Sequence, residues 1–438
     1  MTEHPKMPAR AFASLRTDAH ERSPSGTAVL WGILVLSIAY GIIILSRVWV
    51  VGPDGISRGT GTVPYWDFSN LWGGAKLAAK GQLHTLFDTT AYRQELANLF
   101  GAPVITGEWS YPPTMLLVGA PLAILPVGMA YLLWISGTIL LFALAVRQLH
   151  LPCPNAAIAV FSPALAWNVA LGQNGALTGA LLLAGLLQAE RRPYLGGALL
   201  GCLIIKPHLA VLTPVVLIAR GNWRGLGAAA FTAALLLLLS IAVYGWEPWY
   251  GFVTHTGPLM RRIMEAPFPQ GYQVRSITIF VLARALGFGL LSSYLVQAVG
   301  AVMAVVMVWR SARWPLAAAT RSALVIMLTF LATPYSYTYD MVPLAAPLAL
   351  LLHQRKQTDG RIDLLALTLW LLPCMPFFEV GSIQLLLAPI LLLLLVARTL
   401  ITARKTRTSD DRSRYQVLGT RRGVALPATS IESTESVH

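Results

Sequence analysis

The chain has 438 residues, of which 55% are hydrophobic and only 12% charged, and a formal net charge of +14. Soluble domains carry about 25% charged residues, so half that charge spread over many long apolar runs describes a chain whose solvent is a bilayer. These features exclude a single anchor or signal peptide, because the runs are too many. They also exclude a nucleic-acid binder, because no basic soluble domain is present to carry the positive charge.

Residues 1–26 are polar, contain proline and mix both charges, and read as a flexible cytoplasmic tail. The first span covers Ala28 to Val51, enough to cross a core of about 30 Å. A long polar interval follows, from Gly52 to Ser110. Two amphipathic helices fit within it, Phe68–Lys80 and Thr90–Phe100, the second behind the polar start Asp88-Thr89-Thr90. Both are expected to lie at the membrane interface.

Tyr111 to Pro126 is a short apolar piece with proline at both ends, and Val127 to Val146 is a full span. Ala156–Leu171 and Ala176–Ala189 are joined by "GQNG" (Gly172 to Gly175). The segment Tyr194 to Ala219 carries Lys206-Pro207-His208 at its middle, where a proline predicts a broken helix. Trp223–Tyr244 spans, and Gly245 to Arg275 is a second polar loop. Ser276–Leu286 is amphipathic, and Ser292–Trp309, Ala317–Ala332, Met341–Leu352, Leu364–Phe378 and Ile383–Ala397 complete the membrane part. The fold class is an all-α polytopic membrane protein of roughly ten to thirteen transmembrane or re-entrant helices. It divides into the tail 1–26, a membrane domain 27–401 and a basic, disordered cytoplasmic tail 402–438.

Charge sets the orientation. The segment after Thr402 carries seven Lys/Arg, and Lys6, Arg10, Arg16 and Arg22 mark the other end, so both termini are expected inside. One crossing then puts Asp67 outside. The "GQNG" turn, the 245–275 loop and "TPYSYTYD" (Thr333 to Asp340) fall on the same outer face.

Each polar outlier there admits two roles. Asp67, between Trp66 and Phe68, is either a helix cap or a carboxylate in a low-dielectric setting suited to general-base work. Lys206 either snorkels or binds a lipid phosphate, and His208 beside it is either a packed histidine or a weaker phosphate ligand. Gln173 and Asn174 either cap helix ends or bind sugar hydroxyls. Arg261, Arg262 and Arg275 suit a lipid-linked phosphate or anionic headgroups. Asp340 either faces a helix dipole or acts as a second acid. Tyr335, Tyr337 and Tyr339 form either an interface belt or a stacking surface for a sugar ring. The cysteines Cys153, Cys202 and Cys374 form no C-x-x-C pair, and no H-E-x-x-H occurs, so no metal site is implied.

The stretches "WDFSNLWGGAKLAAKGQLHTLFD", "WSYPPTMLLVGAPLAILP", "NVALGQNGALTGALLLAGL" and "RPYLGGALLGCLIIKPHLAVLTPVVL" occur in this order and resemble glycosyltransferase family 87 over roughly Asp67 to Leu350. That family includes actinobacterial mannosyltransferases that use polyprenyl-phosphate mannose. The resemblance implies a GT-C type fold in a bacterial inner membrane, working on the periplasmic or extracytoplasmic side. It implies a polyprenyl-phosphate sugar donor, a hexose such as mannose, a lipid or glycan acceptor and an inverting displacement. No cofactor or metal is expected, because no metal cluster is visible in the sequence and Lys and Arg can handle a leaving lipid phosphate. Asp67 takes the place of the acidic residue that deprotonates the acceptor. Lys206, His208, Arg261, Arg262 and Arg275 are then expected to hold the donor phosphate. Trp66, Tyr111, Gln173, Asn174, Gln273, Tyr335, Tyr337, Tyr339 and Asp340 are expected to bind sugar or acceptor. One departure stands out: Tyr339 and Asp340 occupy positions where those mannosyltransferases carry a pair of histidines. The alternative function is a transporter or flippase of a polar lipid, which predicts inverted repeats and charges at the midplane of several helices; a non-catalytic scaffold leaves the one-sided polar residues unexplained.

Overall fold

The computed structural model describes residues 24–104, 107–271, 273–378 and 386–421. The expected N-terminal tail up to residue 23, the start of the expected 383–397 helix and the chain end from 422 lie outside the described residues. Among the described residues the fold is all-helical, with only two isolated bridges, Val51 to Ser57 and Ser276 to Tyr337. In a bilayer a helix satisfies its own backbone polar groups, so an apolar chain of this kind has few alternatives.

Helix α1 (Pro24–Val48) enters the first loop region, where α2 (Phe68–Ala79) and α3 (Thr89–Phe100) follow. The short α4 (Thr114–Ala123) precedes the long α5 (Val127–Arg147). Next come α6 (Cys153–Val160) and α7 (Pro163–Leu171), then α8 (Gly175–Arg191) and α9 (Pro193–Gly201). The rest of the described chain forms α10 (Thr213–Ala219), α11 (Trp223–Tyr244), α12 (Glu247–Gly251), α13 (Gly257–Glu265), α14 (Ile279–Ala285), α15 (Leu290–Ser311), α16 (Ala318–Ala332), α17 (Val342–Asp359), α18 (Leu364–Leu371) and α19 (Ala388–Arg421).

Among the described residues, five stretches are long and apolar enough to cross a membrane: Thr27–Val48, Val127–Arg147, Cys153–Leu171, Trp223–Tyr244 and Leu290–Ser311. Shorter apolar helices lie among them, including Thr114–Ala123 and Ala318–Ala332. Against the expected ten to thirteen transmembrane or re-entrant helices, the described residues thus hold five helices of full spanning length and a set of shorter apolar pieces. The main core gathers around α8, α16 and α17, with Leu182, Leu328, Phe330 and Leu344 fully enclosed. In contrast, α11 and α15 keep large apolar side chains such as Phe231, Leu238, Leu291 and Val302 on the outside, as lipid-facing helices do.

The 194–219 segment breaks where proline predicts. Two short 3-10 helices, Cys202–Ile205 and Pro207–Ala210, flank Lys206, which has extended rather than helical backbone (φ −149°, ψ 70°). The first-loop helices require a correction. Helix α3 is amphipathic as expected, with Asp88 capping it through Oδ1 to the amides of Thr90 (2.9 Å) and Ala91 (3.0 Å). Helix α2 is not an interfacial helix: every residue from Phe68 to Ala75 is buried, in a second core with Tyr92, Leu96 and Trp109. Its small residues, Gly73, Gly74 and Ala75, let neighbouring elements close on it from several sides. At the other end of the chain, helical backbone runs past 402 to Arg421, and no proline interrupts 390–421.

Helix connectivity positions the site. The α7–α8 turn, the α16–α17 connection and the lead-in to α2 meet at one end of the bundle. Gly172 ends α7 with a left-handed backbone (φ +67°), and a Cβ there would stand 2.4 Å from that of Phe68. At Gly175 a Cβ would stand 2.6 Å from the carbonyl oxygen of Tyr339. The two glycines of "GQNG" thus let Gln173 and Asn174 fit between α2 and the tyrosine segment. We expect Gly175→Ala to cost about 1–3 kcal/mol by overpacking against backbone that has no room to yield, read as a lowered melting temperature of the purified protein.

Candidate active site

Asp67 precedes the first residue of α2 but makes no side-chain capping bond to it. Its Oδ2 instead accepts a hydrogen bond of 2.7 Å from Nε2 of Gln173. Of the two roles open to Asp67, the cap is thereby set aside: the carboxylate turns away from its own helix toward a residue 106 positions along the chain. The preceding residue helps to aim it. Trp66 has φ +40°, a conformation a bulky residue adopts only when its surroundings enforce it. The guanidinium of Arg275 stands over the Trp66 ring, 5.6 Å from its centroid.

Asp67 opens onto a cleft of about 270 Å³ that is also lined by Trp66, Asn70, Glu108, Tyr111, Gln173, Arg275, Tyr335, Tyr337 and Tyr339. A second chamber of about 220 Å³ adjoins it and shares Ser110, Tyr111, Gln173, Met260, Tyr335 and Tyr339; Lys206, His208, Phe252 and Thr256 close its far side. The three tyrosines form a ladder, with ring centroids 5.0 Å apart for Tyr335 and Tyr337 and 5.6 Å for Tyr337 and Tyr339. The His208 ring meets Tyr335 edge-on at 5.5 Å.

Burial holds the Asp67 carboxyl up at about 6, against 3.8 for a free side chain. The bond from Gln173 and the positive charges of Arg275 and Lys206 pull the value down, and the Glu108 carboxylate pushes it up. The result is a carboxylate that is ionised at neutral pH yet keeps appreciable proton affinity, a combination suited to general-base work. Three buried polar atoms of side chains that line the two chambers have no hydrogen-bond partner: Asn70 Oδ1, Gln173 Oε1 and His208 Nε2. Native proteins rarely leave such atoms unsatisfied, and here they gather where a hydroxylated ligand would satisfy them.

These features and the helical frame agree with a match of residues 109–334, more than half of the chain, to glycosyltransferase family 87. The chain belongs to glycosyltransferase family 87. Membership makes it a membrane glycosyltransferase. No curated protein and no solved structure matches it. The family match takes in Glu108's neighbour Trp109, Tyr111, Gln173, Asn174, Lys206, His208 and Arg275, whereas Asp67 and the tyrosine ladder lie outside it and are joined to it by the fold.

The fold does not bring every expected residue of this glycosyltransferase to the cleft in the expected way. Lys206 needs no lipid phosphate for its counter-charge. Its Nζ makes a buried ion pair with Asp340 and donates to Asn174 Oδ1 at 2.9 Å. Asp340 is itself fully buried and also accepts from the Tyr337 backbone amide at 2.9 Å. Asp340 is thus the partner of Lys206 rather than a second acid open to the cleft. On α13 the residues Met260 and Ile263 face the cleft, which puts Arg261 and Arg262 on the exposed side; Arg261 pairs with Glu265 at 2.7 Å. Gln273 is buried, with its amide tied to the carbonyls of Met264 (3.3 Å) and Ala266 (2.5 Å), so it holds the loop and lines neither chamber. Glu108, held by Arg93, and Asn70 are cleft residues the sequence reading missed. Glu108 directly precedes the quoted "WSYPP" stretch, and its place in a loop with Trp109 and Tyr111 was the available signal. Among the described residues no group of three or more His, Cys, Asp or Glu side chains has the arrangement to hold a metal ion.

Proposed function

We propose that the protein transfers a single hexose from a polyprenyl-phosphate donor to a lipid or glycan acceptor on the extracytoplasmic face. The observation that carries this reading is the Asp67–Gln173 pair at the head of a cleft that also holds Arg275. In the proposed step Asp67 takes the proton of an acceptor hydroxyl. The oxygen attacks the anomeric carbon of the donor sugar, and the bond from that carbon to the phosphate oxygen breaks. Polyprenyl phosphate leaves with the electron pair, and the configuration inverts because attack and departure are in line. Arg275, whose exposed guanidinium borders the Asp67 cleft, supplies charge for the departing phosphate, with His208 as a second donor from the adjoining chamber. The tyrosine ladder offers ring faces to the sugar.

The test supplies the purified protein, in lipid nanodiscs, with radiolabelled polyprenyl-phosphate sugars and a membrane lipid extract. Label appearing in a glycosidic product supports the reading. Movement of donor across liposomes with no such product supports a flippase instead. Gln173 gives a finer check. Its hydrogen bond favours the ionised form of Asp67, so Gln173→Leu raises the proton affinity of the base. We expect a rate reduction of about tenfold at pH 6.5 that narrows by pH 8.5, as the midpoint of the pH–rate profile moves upward.

A further inference from the structure

A separate cavity of about 210 Å³ lies at the far end of the bundle and shares no lining residue with either chamber of the cleft. Helices α8 and α16 run between the two regions. Helix α8 starts at the "GQNG" turn and ends beside Glu190, and α16 starts beside Arg321 and ends at the tyrosine segment. At 1.5 Å per residue that is roughly 22–26 Å of helix. Glu190, Arg220, Asn222, Arg321 and Ser322 form the polar part of the lining, and the rest is apolar. The walls are fixed. Asn222 donates through Nδ2 to the Ala189 carbonyl at 2.7 Å and accepts through Oδ1 from the Gly225 amide at 2.9 Å. Gly196 of α9 has no room for a Cβ beside the Ala189 backbone.

The two guanidiniums are in different states. Arg321 is buried, pairs with Glu190 through Nη1, and donates through Nη2 to the carbonyls of Trp314 (3.2 Å) and Leu316 (2.8 Å). Its charge is balanced by Glu190, although its buried Nε has no partner, a state native proteins rarely leave unsatisfied. Arg220 is exposed, and its Nη1 donates to the Ala312 carbonyl at 3.3 Å. Among the described residues no carboxylate pairs with it, so two arginines against one glutamate leave the cavity with one net positive charge. A guanidinium in this state matches a phosphate oxygen pair.

The surroundings set the depth. Tyr194 and Trp223 directly follow the lining residues Pro193 and Asn222, and both are exposed. Trp309 stands just before Ala312, with the Arg313 guanidinium 4.3 Å from its ring centroid. Exposed tyrosine and tryptophan of a membrane protein gather at the level of the lipid headgroups, and basic pockets between membrane helices take such headgroups. A single net charge beside an apolar wall fits a singly charged phosphodiester, while the Glu190 carboxylate disfavours a dianion.

We propose that this cavity binds the headgroup of an anionic phospholipid, with its phosphodiester met by Arg220. With the cleft outside, as proposed above, the lipid comes from the cytoplasmic leaflet; the binding itself does not depend on the transferase reading. Full-length protein in detergent is titrated with phosphatidylglycerol or phosphatidylcholine, and bound lipid is counted by native mass spectrometry. Phosphatidylglycerol should bind about tenfold more tightly, the worth of one charge-assisted contact. Arg220→Gln should abolish that preference. Arg224→Gln removes an equal charge from an exposed residue that does not line the cavity, and should leave the preference intact. Ser322→Ala, expected to weaken phosphatidylglycerol binding about threefold, is the second variant in case Arg220→Gln does not fold. Equal affinity for the two lipids, or equal losses in Arg220→Gln and Arg224→Gln, would reduce the site to diffuse attraction and overturn the proposal. Displacement of the lipid by inorganic phosphate would assign the cavity to a free anion and overturn it as well.

Discussion

Asp67→Asn is expected to lower turnover about 1,000-fold, within the range a positioned general base contributes, while leaving the protein folded. The amide keeps the size of the carboxylate and stays within reach of Gln173, but it has no proton affinity to offer an acceptor hydroxyl. The wild-type rate should climb with pH through a midpoint near 6, because the base must be ionised and its carboxyl is held up to about 6 by burial. The variant should show no such climb. Stability should move in the opposite sense. Below about 4 the carboxyl is protonated in both folded and unfolded chains. Between about 4 and 6 the folded chain holds the proton and the unfolded chain does not, so the stability contributed by the protonated form is lost as pH rises through that window. Asn never ionises and escapes this loss. After discounting for partial exposure the difference is of order 1 kcal/mol, so the variant should melt slightly higher than wild type at pH 8 and equally at pH 4. A variant melting well below wild type at pH 8 would make Asp67 a structural residue and withdraw its assignment as the base.

The legible part of this molecule was whatever depends on local sequence. Apolar runs gave the membrane frame, proline marked the break at Lys206, and aromatic flanks drew attention to Asp67. Partnerships across the chain were not legible, because no spacing encodes them. Gln173 looked like a turn residue or a sugar ligand, yet its amide holds Asp67, 106 positions away. Lys206 looked like a cation in search of a phosphate because its carboxylate partner is 134 positions away. Gln273 was ambiguous for a different reason: a polar side chain in an expected active-site loop is as useful for tying the loop, as its bonds to Met264 and Ala266 do, as for binding a ligand, and its type does not say which. The arginines of α13 looked like part of the cleft because a charge pair in a loop resembles a binding patch until the helix assigns each residue to a face, here the exposed one. Asn70 and Glu108 were missed because neither is unusual until α2 is seen packed inside the protein rather than on the membrane surface.

The second large effect concerns Lys206 and Asp340. Among the described residues each is the other's only ion-pair partner, and both are buried. Asp340→Asn strands an ammonium and Lys206→Met strands a carboxylate, so each single substitution should cost about 3–5 kcal/mol. The double variant Lys206→Met with Asp340→Asn removes both charges and keeps an acceptor for the Tyr337 amide. Its stability should return to within about 1 kcal/mol of wild type, since replacing a buried pair outright is often neutral. Activity then separates two roles for Lys206. The ion pair ties the 335–340 segment to the "GQNG" turn, and Lys206 lies 5.4 Å from the centroid of the Tyr339 ring. If positioning is the whole of its role, the double variant regains turnover to within about tenfold of wild type. If the ammonium also meets the donor phosphate, turnover stays down by about 100-fold or more in a protein as stable as wild type, because a charge-assisted bond to the leaving group is gone. Burial beneath Asp340 and Asn174 favours the first outcome: an ammonium already joined to a carboxylate and an amide oxygen has one proton left, too little to serve as the main clamp on a dianion, and Arg275 remains the group at the cleft with its charge open to solvent.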